Sequence, residues 1–180
     1  MKITPNMLPP HDGKATVEAP DEEPVILITR LLEAPRALVW RCYTEPQHMV
    51  HFWGPHGSTT PICEVDLRPG GIWRTVMRFG SGNEYGYTSV YLEIAPPERI
   101  VYRDAPDDWP GGDPETMPPW QIHSTLALAE EGNKTRLSVT VRFRGIAERD
   151  DAVKRGFAGM VIQGNERLDA YLKTLTPTAA

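Results

Sequence analysis

Between Arg136 and Phe143 apolar and polar residues alternate without a break, with Leu137, Val139, Val141 and Phe143 set against Arg136, Ser138, Thr140 and Arg142. Successive side chains of a strand point to opposite faces, so this segment reads as a strand in a sheet with one dry side and one wet side. The dry side needs a cover, and the next segment supplies it. Val153, Phe157, Met160, Val161, Gly164, Leu168, Leu172 and Leu175 recur at the helical period and form one stripe. Asp150 and Asp151 stand at the positive end of the helix dipole and Lys173 near the negative end. A helix of about 25 residues runs about 37 Å, the breadth of a domain, and must lie across the sheet.

Upstream, Val25 to Leu32 is β-branched and apolar and lies between Pro24 and Pro35, which predicts a first strand. After Pro35, the spacing of Leu38, Val39, Cys42 and Tyr43 predicts a short helix with one apolar face, interrupted at Pro46. A second short helix is expected from Gln47 to Phe52, ending before Gly54-Pro55. From Ser58 onward short strands are separated by turns at residues 68–71, 80–83, 95–98 and 131–133, the pattern of an antiparallel meander. Residues 1–23 contain four prolines, three consecutive acids and few large apolar groups. Burial there does not offset an ordering entropy of roughly 1–2 kcal/mol per residue, so a flexible arm is expected, followed by one domain over residues 24–176.

A chain of 180 residues with 40% hydrophobic content has room for one such domain. Its net charge of −5, with 19 basic residues scattered along it, argues against nucleic acid as a partner. The first residues lack the apolar run of a signal peptide, and no stretch of about 18 apolar residues predicts a membrane span, so a cytoplasmic location is expected. Cys42 and Cys63 are too far apart for a redox or zinc pair and read as free thiols.

Three runs, Phe52-Trp53-Gly54-Pro55-His56-Gly57, Cys63 to Arg74 around Pro69-Gly70-Gly71, and Glu93 to Ile100 around Pro96-Pro97, occur in order with the tail Val161 to Leu168. Together this set resembles bacterial proteins related to the heat-shock-protein-90 ATPase activator, within the START-like or SRPBCC superfamily. The likeness covers about residues 25–175. It implies an α+β helix-grip (Bet v 1-like) fold, with a curved antiparallel sheet of six to seven strands wrapped on a long C-terminal helix. It also implies a cavity of the kind in which superfamily members bind lipids, hormones or polyketides. Taken by themselves, the Pro-Gly-Gly and Pro-Pro-Glu segments read as turns and carry no chemistry.

The aromatic strand residues Trp73, Tyr85, Tyr87, Tyr91 and Tyr102 could line such a cavity or pack within the core and across strands. Alternation groups Trp73, Thr75 and Met77 on one face opposite Arg74 and Arg78, which makes the Trp73 face the interior one. The candidate ligand-binding set comprises Trp73, Met77, Tyr85, Tyr87 and Tyr102 on strands, with Trp40 and Trp53 near the two short helices. Phe157, Met160, Val161 and Gly164 on the last helix complete it. Gly164 costs up to about 1 kcal/mol relative to Ala in mid-helix, which implies either close passage past a strand or volume left for a ligand.

His48, His51 and His56 cluster without a third ligand at metal spacing, so no metal is expected. No cofactor is expected either. His123 shares its strand face with Gln121 and Thr125 and is expected to point outward. Residues 104–119 form a long loop rich in Pro, Gly and acid, readable as a lid or a mobile excursion. No catalytic constellation stands out. Binding of a hydrophobic or aromatic small molecule is the leading reading. Two alternatives stay open: a cavity-based cyclase or hydrolase using Tyr85, Tyr87 or His123 as acid–base, and a chaperone-associated, stress-response module suggested by the family name alone. Oligomeric state is not legible.

Overall fold

The computed structural model describes residues 8, 11–106 and 122–175. Among them, eight strands form one antiparallel sheet: β1 (Ala15–Glu18), β2 (Val25–Leu32), β3 (Thr59–Val65), β4 (Ile72–Arg78), β5 (Glu84–Ala95), β6 (Arg99–Asp104), β7 (His123–Glu131) and β8 (Lys134–Arg142). The helices are α1 (Arg36–Thr44), α2 (Pro46–Met49), α3 (Ile146–Lys154) and α4 (Phe157–Leu175). Strand order is β1-β2-β8-β7-β6-β5-β4-β3. Strands β3 to β8 form the expected meander, and β2 lies along β8 with Ile26 opposite Val141 and Ile28 opposite Val139. This is the helix-grip architecture, an open antiparallel sheet with a long C-terminal helix across one face.

The dry face carries the core. Ile26, Ile28 and Leu32 of β2, Leu137, Val139 and Val141 of β8, and Leu126 and Leu128 of β7 are buried against Val39, Ile162, Leu168 and Leu172 of the helices. On β4 the alternation falls as read, with Trp73, Thr75 and Met77 buried. Helix α2 ends at Met49, short of the expected Phe52.

Residues 15–18 were expected in a flexible arm and instead form β1, paired with β2 from Ala15 opposite Arg30 to Glu18 opposite Leu27. Apolar burial was the wrong measure there. The segment is held by main-chain hydrogen bonds along the edge of β2 and by ion pairs, which a hydrophobicity count does not see. Both oxygens of Asp12 accept from Arg30, at 2.9 and 2.5 Å, and the fully buried Arg30 also reaches Asp169 on α4 at 3.1 Å. Arg149, likewise fully buried, donates from Nη1 to the carbonyls of Pro20 and Glu23 at 2.6 and 2.9 Å. Residues 1–7, 9 and 10 of the expected arm lie outside the described residues, as do residues 107–119 of the expected long loop.

The single helix expected over residues 153–175 is two helices separated at Gly156, whose φ of +81° no other residue type adopts readily. Asp151 therefore sits in the last turn of α3, pairing with Arg155, instead of starting the long helix. The break also rephases the stripe. Ala158, Ile162, Asn165, Leu168, Asp169 and Leu172 are buried on α4, whereas Phe157 and Val161 are half-buried and Met160 is 44% exposed. Gly164 passes the loop after α2, not a strand. A Cβ there would stand 3.6 Å from the Gly54 carbonyl oxygen and 3.7 Å from that of Phe52, ordinary contact distances.

The two glycines should therefore answer differently to alanine. Gly156→Ala meets no neighbouring atom but is forced into the left-handed region, and is expected to lower stability in urea denaturation by about 1 kcal/mol. Gly164→Ala is expected to leave it unchanged or raise it by up to about 1 kcal/mol.

Candidate functional site

The first half of α4 stands off the sheet and leaves a cavity of about 290 Å³. Its floor is the concave face of β4 to β8, its roof is Phe157 to Asn165, and the loop after α2 closes one side with Phe52, Trp53, Gly54 and Pro55. Exposed Tyr85, at the start of β5, and exposed Met160, on α4, mark the mouth. The wall is largely aromatic, and Trp73 is its hub. The Trp73 ring lies 4.4 Å from Trp53 and 5.2 Å from Tyr102 in edge-to-face contacts, and 6.2 Å from both Tyr87 and Tyr91. These spacings are those of favourable aromatic pairs.

Of the residues singled out from sequence, Trp53, Trp73, Met77, Tyr85, Tyr87 and Tyr102 lie on this wall, as do Phe157, Met160, Val161 and Gly164. Trp40 does not. It sits half-buried on α1, packed against the core away from the cavity, because the face of α1 that reaches the cavity carries Tyr43. Sequence reasoning missed Tyr43, Asn165, Ser124 and Asp104. Asp104 had been assigned to the long loop, but it is the last residue of β6 and shares a face with Ile100 and Tyr102. Extending that two-residue alternation by one step would have found it.

Polar groups in the wall are few and ordered. Tyr87 donates its hydroxyl to Asp104 Oδ1 at 2.8 Å, and Tyr43 donates to Asn165 Oδ1 at 3.1 Å. Burial pushes the Asp104 carboxyl up to about 6, against the lowering effect of the Tyr87 hydrogen bond. Burial also raises Tyr43, Tyr87, Tyr91 and Tyr102 well above the usual phenol range, so all four stay neutral donors.

The loop that presents Trp53 is gripped by Arg167 of α4. Its Nη1 lies 3.1 Å from each of the carbonyl oxygens of Trp53, Gly54 and Pro55 and 3.2 Å from Ser58 Oγ, and Nη2 donates to the His51 carbonyl at 3.2 Å. Burial lowers the pKa of this guanidinium. Among the described residues no carboxylate pairs with it, so its charge is met by backbone carbonyls and the Ser58 hydroxyl.

The histidines do not converge. His48 contacts the Tyr171 hydroxyl through Nδ1 at 2.9 Å, His51 stacks on Tyr171 with ring centroids 4.5 Å apart, and His56 contacts Glu166 at 2.7 Å. His123 is exposed on the opposite sheet face, between its cross-strand partners Arg103 and Arg142, and burial together with those two charges lowers its pKa. Among the described residues one group, His11, Asp12 and Glu166, gathers potential metal-ligand atoms within 4.8 Å of one another. Each already has a protein partner: the Gly13 amide on His11, Arg30 on Asp12, and the Asp12 amide with His56 on Glu166. Cys42 and Cys63 are free thiols, pushed up by burial to about 11. Among the described residues no helix is long and apolar enough to cross a membrane.

A curved sheet, a C-terminal helix across it and an aromatic cavity between them define a START-like helix-grip protein. The family described as activator of Hsp90 ATPase homolog 1-like protein matches residues 33–173, and the chain belongs to that family. Solved structures agree. A protein from Nitrosomonas europaea, 25% identical, superposes with a TM-score of 0.75 over 87% of this chain and 98% of that one. One from Rhodobacter sphaeroides, 19% identical, also reaches 0.75, over 90% and 99%. A third, from Chromobacterium violaceum, is 26% identical with a TM-score of 0.63 over 81% and 95%. No curated protein matches significantly.

Two outcomes follow from the site chemistry. An unfolded Asp titrates near 3.9, so the folded chain holds the Asp104 proton longer. This component of stability is complete below about pH 4, falls as pH rises to about 6 and is flat above. Asp104→Asn removes it, and should exceed wild type in stability at pH 7 but not at pH 4 when chemical denaturation is followed across that range. Arg167→Met strands the carbonyls it serves and is expected to cost roughly 2–4 kcal/mol, with a shift in tryptophan fluorescence as Trp53 is released.

Proposed function

We propose that this protein binds a hydrophobic, aromatic small molecule beneath α4, and that it does so in the cytoplasm. The observation that carries this reading is the wall itself. Side chains close-pack protein interiors, yet here Trp53, Trp73, Tyr87, Tyr102 and Phe157 surround about 290 Å³ without filling it. An engineered apolar cavity of about 150 Å³ in another protein takes one benzene ring, so a ligand of about two fused rings matches this space. Tyr85 and Met160 at the mouth supply an entrance, and the neutral tyrosine hydroxyls offer hydrogen bonds that would orient a ligand without the desolvation cost of a full charge. Membership of a superfamily with ligand cavities supports the same reading.

Titration with flavonoids, polyketide-like aromatics and naphthalene derivatives, followed through the Trp73 indole and Met160 methyl resonances, tests it. A ligand of the right class should shift both signals saturably. Val161→Trp should plug the space and weaken binding at least tenfold while the sheet signals stay in place. If no compound moves either resonance, or if the plugged variant binds as well as wild type, the cavity is not the binding site.

A further inference from the structure

Among the described residues the cavity wall contains one acid, Asp104, and no Lys, Arg or His. Several other buried or half-buried ionisable groups are matched by an opposite charge. Arg30 has Asp12 and Asp169, Arg149 has Asp150, and Glu166 has His56. Asp104 is half-buried and has one neutral donor, the Tyr87 hydroxyl on Oδ1, and no cation pairs with it among the described residues. Arg103, next in the chain, belongs to the other face of β6. An unpaired carboxylate in an apolar wall costs free energy and calls for a cation.

The rings around it suit the same charge. Tyr87, hydrogen-bonded to Asp104, is 6.1 Å from Trp53 and 6.2 Å from Trp73, and Tyr102 lies two residues from Asp104 on the same strand face. The faces of Trp and Tyr rings carry negative charge density, which attracts an ammonium group and repels a carboxylate or phosphate. A carboxylate at the end of an aromatic box is complementary to an organic amine with an apolar body. The Tyr87 hydroxyl anchors Oδ1.

We infer that the ligand class is a hydrophobic amine, whose aromatic body fills the space below α4 and whose protonated nitrogen sits between Asp104 and the faces of the surrounding rings. This deepens the cavity-binding proposal and rests on it. No bond is made or broken. Asp104 acts as a counter-ion and Tyr87 positions it.

Three probes of one shape separate the two proposals: 2-(1-naphthyl)ethylamine, the neutral 2-(1-naphthyl)ethanol and anionic 1-naphthylacetate, titrated calorimetrically at pH 7.5 into the full chain. The amine is expected to bind about tenfold more tightly than the alcohol, and the acid more weakly than either. In Asp104→Asn the ratio of amine to alcohol affinity should fall to near one, and that ratio is the readout. In Tyr87→Phe it should stay above one, because the carboxylate remains. Equal or weaker binding of the amine in wild type overturns the cation inference and leaves the cavity reading standing, as does an amine preference that survives Asp104→Asn. Failure of all three probes to bind removes the cavity reading and this inference with it.

Discussion

Helix α4 is held to the sheet at one end and away from it at the other, and the remaining features of the site depend on that inequality. In its second half Leu168 and Leu172 are fully buried, and Asp169 is tied to Arg30 of β2. Such a buried pair is strong only with good geometry and further hydrogen bonds, which Asp12 supplies by accepting from both Nη1 and Nη2 of the guanidinium. In its first half the helix presents Phe157, Met160, Val161 and Gly164, of which Gly164 has no side chain and Met160 turns partly to solvent. The space beneath them is the cavity.

Arginines do much of the fastening that apolar contacts do elsewhere. Arg149 gathers the chain before β2, Arg30 joins the N-terminal segment to α4, and Arg167 holds the loop that carries Trp53. Each guanidinium has five donors in a fixed fork, so one side chain can serve several carbonyls at once where a lysine could not. The consequence for the site is rigidity. Trp53 is fixed to α4 by the Arg167 side chain bonding its carbonyl and to Trp73 by ring contact, so the wall is preformed.

Most of the architecture was legible because it follows from periodicity. The alternation on β4, β7 and β8 assigned faces correctly, and the prolines and glycines marked the turns. The errors share one cause: local pattern was carried across a point where backbone geometry intervened. A stripe counted through Gly156 gave Met160 an inner position it does not fully hold. A hydrophobicity count over residues 1–23 missed the strand at 15–18 that is secured by the edge of β2. Trp40 was grouped with the ligand-facing aromatics on residue type alone, whereas the turn of α1 directs Tyr43 to the cavity.

What the sequence alone determined is the order of the elements from β2 to β8, the identity of the dry sheet face and the family, because side-chain periodicity and turn chemistry act over a few residues and leave their mark there. Tertiary structure decided that Asp104 closes an aromatic wall that has no cation among the described residues, that Arg167 reaches a loop more than a hundred residues earlier, and that the roof stays raised over its first half. Those are relations between segments distant in the chain. They are set by how the sheet curves and where α4 is pinned, and no local pattern encodes them.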